Sequence, residues 1–482
     1  MSTAELLLVL VYVACALLLS AYGLHRYLMT WLFLRTRHLE PAWLEPRPWP
    51  RVTVQLPVFN ERDVVLRLVQ AASRLDYPPE LLDIQVLDDS TDDTTQLAEA
   101  CAARLRDEGL DVQVIRRPDR VGFKAGALAW GMRSAKGEFI AVFDADFVPA
   151  RDFLRQVLPR FSPRVGMVQA RWGHINEGRS LLTRLQAVLL DGHFVIEHSA
   201  RHRSGRWFNF NGTAGIWRRQ AIEDAGGWQH DTLTEDLDLS YRCQLAGWRF
   251  VYLPDVVVPA ELPPTMRAFK SQQHRWAKGS IQTMKKLIGP LLRADIPWKV
   301  RLEACVHLSN NLAYPLVVLL TLLTPAAVAV RARHAETWLV FDLLVFAAAT
   351  LGVGLFYAAS QWAVYPDWRP RLLRIPAVMA LGIGLAVNQS RAVVQALLNQ
   401  DSPFVRTPKS GSGQGSYSLG LDWTAGAELL LAAWHLAGLG FAVHLGYWPS
   451  VPIQLLFFLG FATVGISSLR RRPARRPAAE AA

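Results

Sequence analysis

Apolar runs long enough to cross a bilayer stand at both ends of this 482-residue chain, and the long stretch between them has none. Leu6–Leu24 comes first; Leu312–Val330, Leu343–Tyr365, Ala425–Trp448 and Ile453–Leu469 follow the middle of the chain. Each is about the length that crosses a hydrocarbon core of roughly 30 Å. Such a chain reads as a membrane protein whose central part builds its own core in water. Composition agrees, with 51% hydrophobic and 19% charged residues and a mean hydropathy of +0.14.

The formal charge of +11 would suit a polyanion. The Lys and Arg residues are scattered, however, and gather mainly beside the apolar runs, which is the positive-inside pattern and argues against nucleic acid as a partner. Anionic lipid headgroups remain a secondary use. Glu5 precedes the first run, and Arg26, Arg35 and Arg37 follow it. A cleaved signal peptide would carry its basic residues first. The bias therefore predicts an anchor over residues 1–35, with the N-terminus outside and the next segment in the cytosol. Cys15, Cys101, Cys243 and Cys305 lie far apart, so neither a zinc site nor a disulfide framework is indicated.

From about residue 50 to 290 the chain is soluble in character. Residues 51–58, 84–87, 112–115 and 139–143 read as buried strands, with helical patterns between them at Asp63–Ser73 and Thr94–Arg106. This alternation predicts an α/β domain with a doubly wound, mostly parallel sheet. In the following region, residues 291–470, Ile375–Val387 is short and runs into Asn388, Gln389, Ser390 and Arg391. That polar quartet would be costly inside a bilayer, so Ile375–Leu398 is expected to lie at the membrane interface. Five spans then leave the basic tail, residues 471–482, in the cytosol.

Four motifs stand in order along the chain. Asp88-Asp89-Ser90 and Asp144-Ala145-Asp146 each close a predicted strand, where ligands of such sheets bind. Thr234-Glu235-Asp236 opens a helical segment, and Gln272-Gln273-His274-Arg275-Trp276 lies downstream. Each also has a bland reading. Acids after a strand cap the next helix, acids at a helix start stabilise its dipole, and one tryptophan among 17 fills a core.

Together the order D, DxD, TED, QxxRW resembles the processive branch of glycosyltransferase family 2. The text from Phe210-Asn-Gly-Thr-Ala-Gly-Ile-Trp217 through Gly226-Gly-Trp228 to Gly247-Trp-Arg-Phe250 resembles β-mannan (glucomannan) and cellulose-synthase-like enzymes. The resemblance covers about Val52 to Lys285 and, in layout only, the membrane part. It implies a cytosolic GT-A-type domain on a multi-pass inner (cell) membrane protein. The implied activity is inverting β-transfer from GDP-mannose or UDP-glucose to a growing glycan, making a β-1,4-linked mannan, glucomannan or cellulose-type polymer. Transfer of a single hexose to a lipid acceptor, and a catalytically dead scaffold or transporter, are the competing expectations.

The roles implied are specific. Asp146 would hold Mg²⁺ or Mn²⁺, with Asp144 near the metal or the sugar, because hard cations take carboxylate and phosphate oxygens. Asp236, beside Glu235, would be the catalytic base, capped by Thr234 and kept ionised by the helix N-terminus. Asp88 and Asp89 would read the nucleoside, with Asp89 matching the motif more closely. Glu61 ends the Pro57–Glu61 turn beside the nucleotide, and Lys124 in Gly122-Phe-Lys-Ala-Gly126 would meet the diphosphate. Arg275 offers a cationic fork for phosphate. Trp276 and Gln272 would hold the acceptor, while His274 fills a free position. Phe404-Val-Arg-Thr-Pro-Lys409, within a gating-like loop at 401–420, resembles a donor-covering FxVTxK segment with Arg406 in place of Val. There Thr407 and Lys409 would reach the donor.

Overall fold

A computed structural model of the chain describes residues 2–400 and 423–469. Its centre is a seven-stranded sheet built from β1 (Val52–Val58), β2 (Leu82–Asp88), β3 (Asp111–Ile115), β4 (Phe139–Val142), β5 (Val165–His174), β6 (Gly215–Arg218) and β7 (Arg249–Ala260). The order is β3-β2-β1-β4-β6-β5-β7, parallel except at β6, which runs antiparallel to both neighbours. The four expected strands are β1 to β4, and the two expected helices are Val65–Ser73 and Thr94–Asp107.

Burial on both faces explains the continuous apolar runs. Successive side chains of β4 enter opposite cores: Phe139 and Ala141 pack on one face of the sheet, Ile140 and Val142 on the other. On β1 the apolar Val52, Val54 and Leu56 alternate with Thr53 and Gln55. Those two pair across to β2, where the Thr53 hydroxyl donates to Asp83 at 2.9 Å and the Gln55 amide donates to Gln85 at 3.0 Å. These buried side-chain bonds hold β1 and β2 in register.

Five helical stretches among the described residues are long and apolar enough to cross a membrane: Thr3–Thr36, Trp298–Arg331, Trp338–Val364, Trp423–His444 and Trp448–Leu469. They coincide with the five expected spans. The stretch expected as one interface helix is instead two helices, Ile375–Gly384 and Ala386–Leu397, bent by 41°. Asn388 and Gln389 are buried against protein, and the Asn388 amide donates to the Lys270 carbonyl at 3.0 Å. A helix with such residues on a protein-facing side has no need to present them to lipid.

Buried charges tie the helices to the sheet domain. Arg26 pairs with Glu197, and Arg201 bonds Glu303 at 2.9 Å. On the other side, Lys270 meets Glu428 and the Thr424 hydroxyl, each at 2.7 Å. Lys270 belongs to the helix Met266–Arg293, which carries Gln272 to Trp276.

Candidate active site

One cleft opens where β1 and β4 end side by side, with chain crossovers leaving on either side of that pair. It is lined by Glu61, Asp89, Lys124, Asp144, Asp146, Glu235, Asp236, Gln272, Arg275 and Trp276. Residues spread over more than 200 positions of sequence thus meet in one place. Thr407 and Lys409, with Phe404, lie outside the described residues.

Asp88 is the exception and corrects the expectation of a donor contact. It is 1% exposed, and its oxygens accept from the Ser90 amide at 2.9 Å and the Thr95 hydroxyl at 2.6 Å. These bonds stitch the turn after β2, while the helix that follows, Thr94–Asp107, has no side-chain hydrogen bond from its N-cap residue. Asp89 does line the cleft, with both oxygens bonded by Arg117, at 2.8 Å from Nε and 2.6 Å from Nη2.

Lys124 sits at the centre. Its ammonium donates to Asp144 at 2.5 Å and to the Gly212 carbonyl at 2.8 Å. Burial opposes its charge, yet Asp144, Glu235 and Asp236 hold its pKa above the ordinary lysine value. Gly212 adopts φ +82°, and a Cβ there would stand 3.1 Å from Asp236 Oδ2 and 3.3 Å from Lys124 Nζ. Only glycine lets the backbone pass between these two groups.

Gln272, Arg275 and Trp276 share one face of their helix, being three and four residues apart. That helix presses directly on the motif carrying Asp236. A Cβ at Gly279 would fall 2.8 Å from the Thr234 backbone nitrogen, and Gln282 accepts from the Leu233 amide at 3.0 Å. Contrary to expectation, Thr234 does not cap the Glu235–Leu245 helix through its side chain, which meets the Thr283 hydroxyl at 3.3 Å instead.

The electrostatics of Asp236 also overturn an expectation. A helix start alone would lower its pKa, whereas burial and the adjacent Glu235 carboxylate push it up to about 7. Glu235 is raised too, by burial, with Lys124 opposing. Two carboxylates withdrawn from water beside each other resist joint ionisation more strongly than one helix end can favour it. A carboxylate of this kind is a stronger base than an exposed aspartate. The expected consequence is a kcat/KM that falls about tenfold per pH unit below pH ~7 and levels off above it. Initial rates measured across that range test this, and a flat profile down to about pH 5.5 would remove Asp236 as the base.

Among the described residues no group of three or more His, Cys, Asp or Glu side chains could hold a metal. Asp144 and Asp146, the pair expected as ligands, both line the cleft. Two hard carboxylates do not make a zinc cage, but they suit Mg²⁺ or Mn²⁺ completed by phosphate oxygens and water.

Several lining residues carry no motif. Arg120 lies 3.3 Å above the Phe59 ring, and Trp172, His174 and Asn211 line the far wall. The basic cluster Arg116-Arg117-Pro118-Asp119-Arg120 is a visible signal for the first; the others sit in strand and loop text that reads as core.

Residues 50–279 match the family described as glycosyltransferase like family 2. That stretch belongs to glycosyltransferase family 2. The chain is 45% identical over 251 residues to glucomannan 4-beta-mannosyltransferase 2 of Arabidopsis thaliana, covering 51% of this chain and 47% of that protein. It is 42% identical over 269 residues to glucomannan 4-beta-mannosyltransferase 1 of Oryza sativa subsp. japonica, covering 55% and 51%. The chain thus spans about half the length of the curated relatives it matches. In fold it is similar to the mannosyltransferase PcManGT from Pyrobaculum calidifontis, solved with GDP-Man and Mn²⁺. That likeness has a TM-score of 0.54 at 22% identity and covers 81% of this chain and all of the other. The expected GT-A-type architecture, with its mostly parallel sheet flanked by apolar helices, is the one observed.

Proposed function

We propose that this chain is a membrane-bound inverting β-glycosyltransferase that moves mannose from GDP-mannose onto a growing β-1,4-linked glycan of the mannan or glucomannan type. The observation that carries the reading is the meeting at Gly212. There a basic carboxylate, Asp236, and a cation suited to diphosphate, Lys124, both come within 3.3 Å of the point where a Cβ would stand. Transfer with inversion needs a base on the acceptor side and charge neutralisation on the leaving-group side, at one carbon.

Asp236 takes the proton of the acceptor hydroxyl, and Glu235 keeps that carboxylate basic. Asp144 and Asp146 would hold one Mg²⁺ or Mn²⁺, which neutralises charge on the departing diphosphate. Lys124 and Arg275 add fixed positive charge there. Glu61 and Asp89, the latter held by Arg117, border the nucleoside end. The Trp276 ring gives the acceptor sugar an apolar face, with Gln272 one helical turn away. Identity to enzymes named for 4-beta-mannosyl transfer favours mannose over glucose.

The five apolar helices support a bilayer setting, and Arg26, Arg35 and Arg37 after the first of them favour the cytosolic side for the domain. A donor-covering role for Phe404, Thr407 and Lys409 fits the tether just before them. The Lys278 ammonium, two residues past Trp276, donates to the Gln400 carbonyl at 2.5 Å.

Membranes carrying the protein, given labelled GDP-mannose or UDP-glucose with Mg²⁺ or Mn²⁺, are expected to yield a long mannanase-sensitive polymer from the first donor. A single-sugar lipid product would replace the polymerase reading with glycolipid synthesis. No transfer from either donor would overturn both.

A further inference from the structure

The end of β5 reaches the wall of the cleft. Trp172 and His174 are two apart on the strand and share one of its faces. Both line the cleft together with Gln272 and Trp276. Gly173 between them faces the packed side, where a Cβ would stand 2.8 Å from Val257 Cγ1.

Neither side chain is free to turn away. The Trp172 ring is held against Phe147, Phe194 and Trp276, at centroid distances of 5.1, 5.0 and 6.3 Å. His174 Nε2 lies 3.1 Å from Asp191 Oδ1, and the other oxygen of Asp191 accepts from the Gln361 amide at 3.0 Å. Asp191 and Gln361 are themselves buried. A carboxylate only accepts, so Nε2 carries a ring proton, and in the neutral tautomer this selects, Nδ1 is an acceptor.

That Nδ1, and the Trp172 Nε1–H, are both buried with no hydrogen-bond partner among the described residues. The His174 side chain is 4% exposed. Native structures leave few such groups unsatisfied. Here one orphaned acceptor and one orphaned donor sit on the same strand face beside Trp276. A sugar hydroxyl is both a donor and an acceptor, and neighbouring hydroxyls on one ring can satisfy both at once.

We propose that Trp172 and His174 complete the acceptor subsite: the Trp172 Nε1–H donates to, and His174 Nδ1 accepts from, hydroxyls of the acceptor's terminal hexose. Asp191 and Gln361 are positioning residues that set the imidazole tautomer. The proposal rests on the glycosyl-transfer reading above and adds to it which atoms select the acceptor.

Two substitutions at His174 separate recognition from architecture. Glutamine places its amide where Nε2 was, keeping the bond to Asp191 and losing the Nδ1 acceptor; asparagine places its amide where Nδ1 was and loses the bond to Asp191. With the donor that the unaltered enzyme transfers, and mannotetraose as soluble acceptor, His174→Gln is expected to raise the acceptor KM about three- to tenfold. That is the worth of one hydrogen bond. The donor KM is expected to move by less than about twofold. His174→Asn is expected to recover part of the loss. Trp172→Phe, which keeps an aromatic ring but removes the pyrrole part of the indole with its N–H, is expected to raise the acceptor KM by at least a similar factor while leaving the donor KM within about twofold. A normal acceptor KM in His174→Gln or Trp172→Phe would overturn the proposal. So would a parallel rise in donor KM, or a pattern in which asparagine impairs and glutamine does not. An unaltered enzyme that transfers no sugar from either donor would sink the glycosyl-transfer reading first, and this subsite with it.

Discussion

Asp236→Asn is expected to lower turnover by about two to four orders of magnitude, the usual worth of a general base, with donor affinity nearly intact. The substitution is close to isosteric and keeps the local frame. The side-chain oxygen that accepts from the Leu237 amide at 2.8 Å is still present in asparagine, and the Ser240 hydroxyl bonds the backbone carbonyl rather than the side chain. What disappears is a carboxylate whose pKa burial and Glu235 push up to about 7. An amide takes no proton from a sugar hydroxyl at any pH. The inflection near neutral pH should therefore vanish along with the rate. Isothermal binding of the donor beside single-turnover rates checks both halves, and near-normal transfer by the variant would move the base elsewhere.

Asp146→Ala is expected to reduce transfer by about two orders of magnitude or more, with a matching loss of metal-dependent donor binding. The second carboxylate of the pair, Asp144, is already engaged by Lys124 at 2.5 Å. It has less capacity to hold a cation alone, so the proposed site leans on Asp146, 7% exposed just beyond β4. A hard ion with few protein ligands depends steeply on each of them. Chelation of the unaltered enzyme should likewise abolish transfer, and Mg²⁺ or Mn²⁺ should restore it. Full activity in excess chelator would remove the metal from the mechanism.

Both predictions lean on residues that are legible in the amino-acid sequence. Asp146 and Asp236 stand in short acidic motifs at a strand end and a helix start, and the cleft holds both. Their electrostatics are not legible there. Sequence places Asp236 in a helical first turn and so argues for a lowered pKa. Its real value depends on how much water the folded domain removes and on Glu235 beside it. The expectation for Asp88 fails in the same way. It is adjacent to Asp89 in sequence, yet the strand's alternation turns it inward to Ser90 and Thr95.

Sequence by itself determined the elements with a strong period or a strong composition. A continuous apolar run marks β4 and runs of span length mark the five apolar helices, while β1 and β2 are marked by β-branched and apolar residues alternating with a few polar ones. It also marked the acids at the carboxyl ends of strands, because backbone topology puts those ends at a crevice. Tertiary structure alone decided the bend between Ile375–Gly384 and Ala386–Leu397, whose polar residues find partners on another helix. It alone brought the Met266–Arg293 helix onto Thr234 through Gly279, and it alone left Trp172 and His174 unpaired at the cleft wall. Whether a polar atom is satisfied, and what a carboxylate's pKa becomes, depends on neighbours far away in the chain, and no local pattern encodes them.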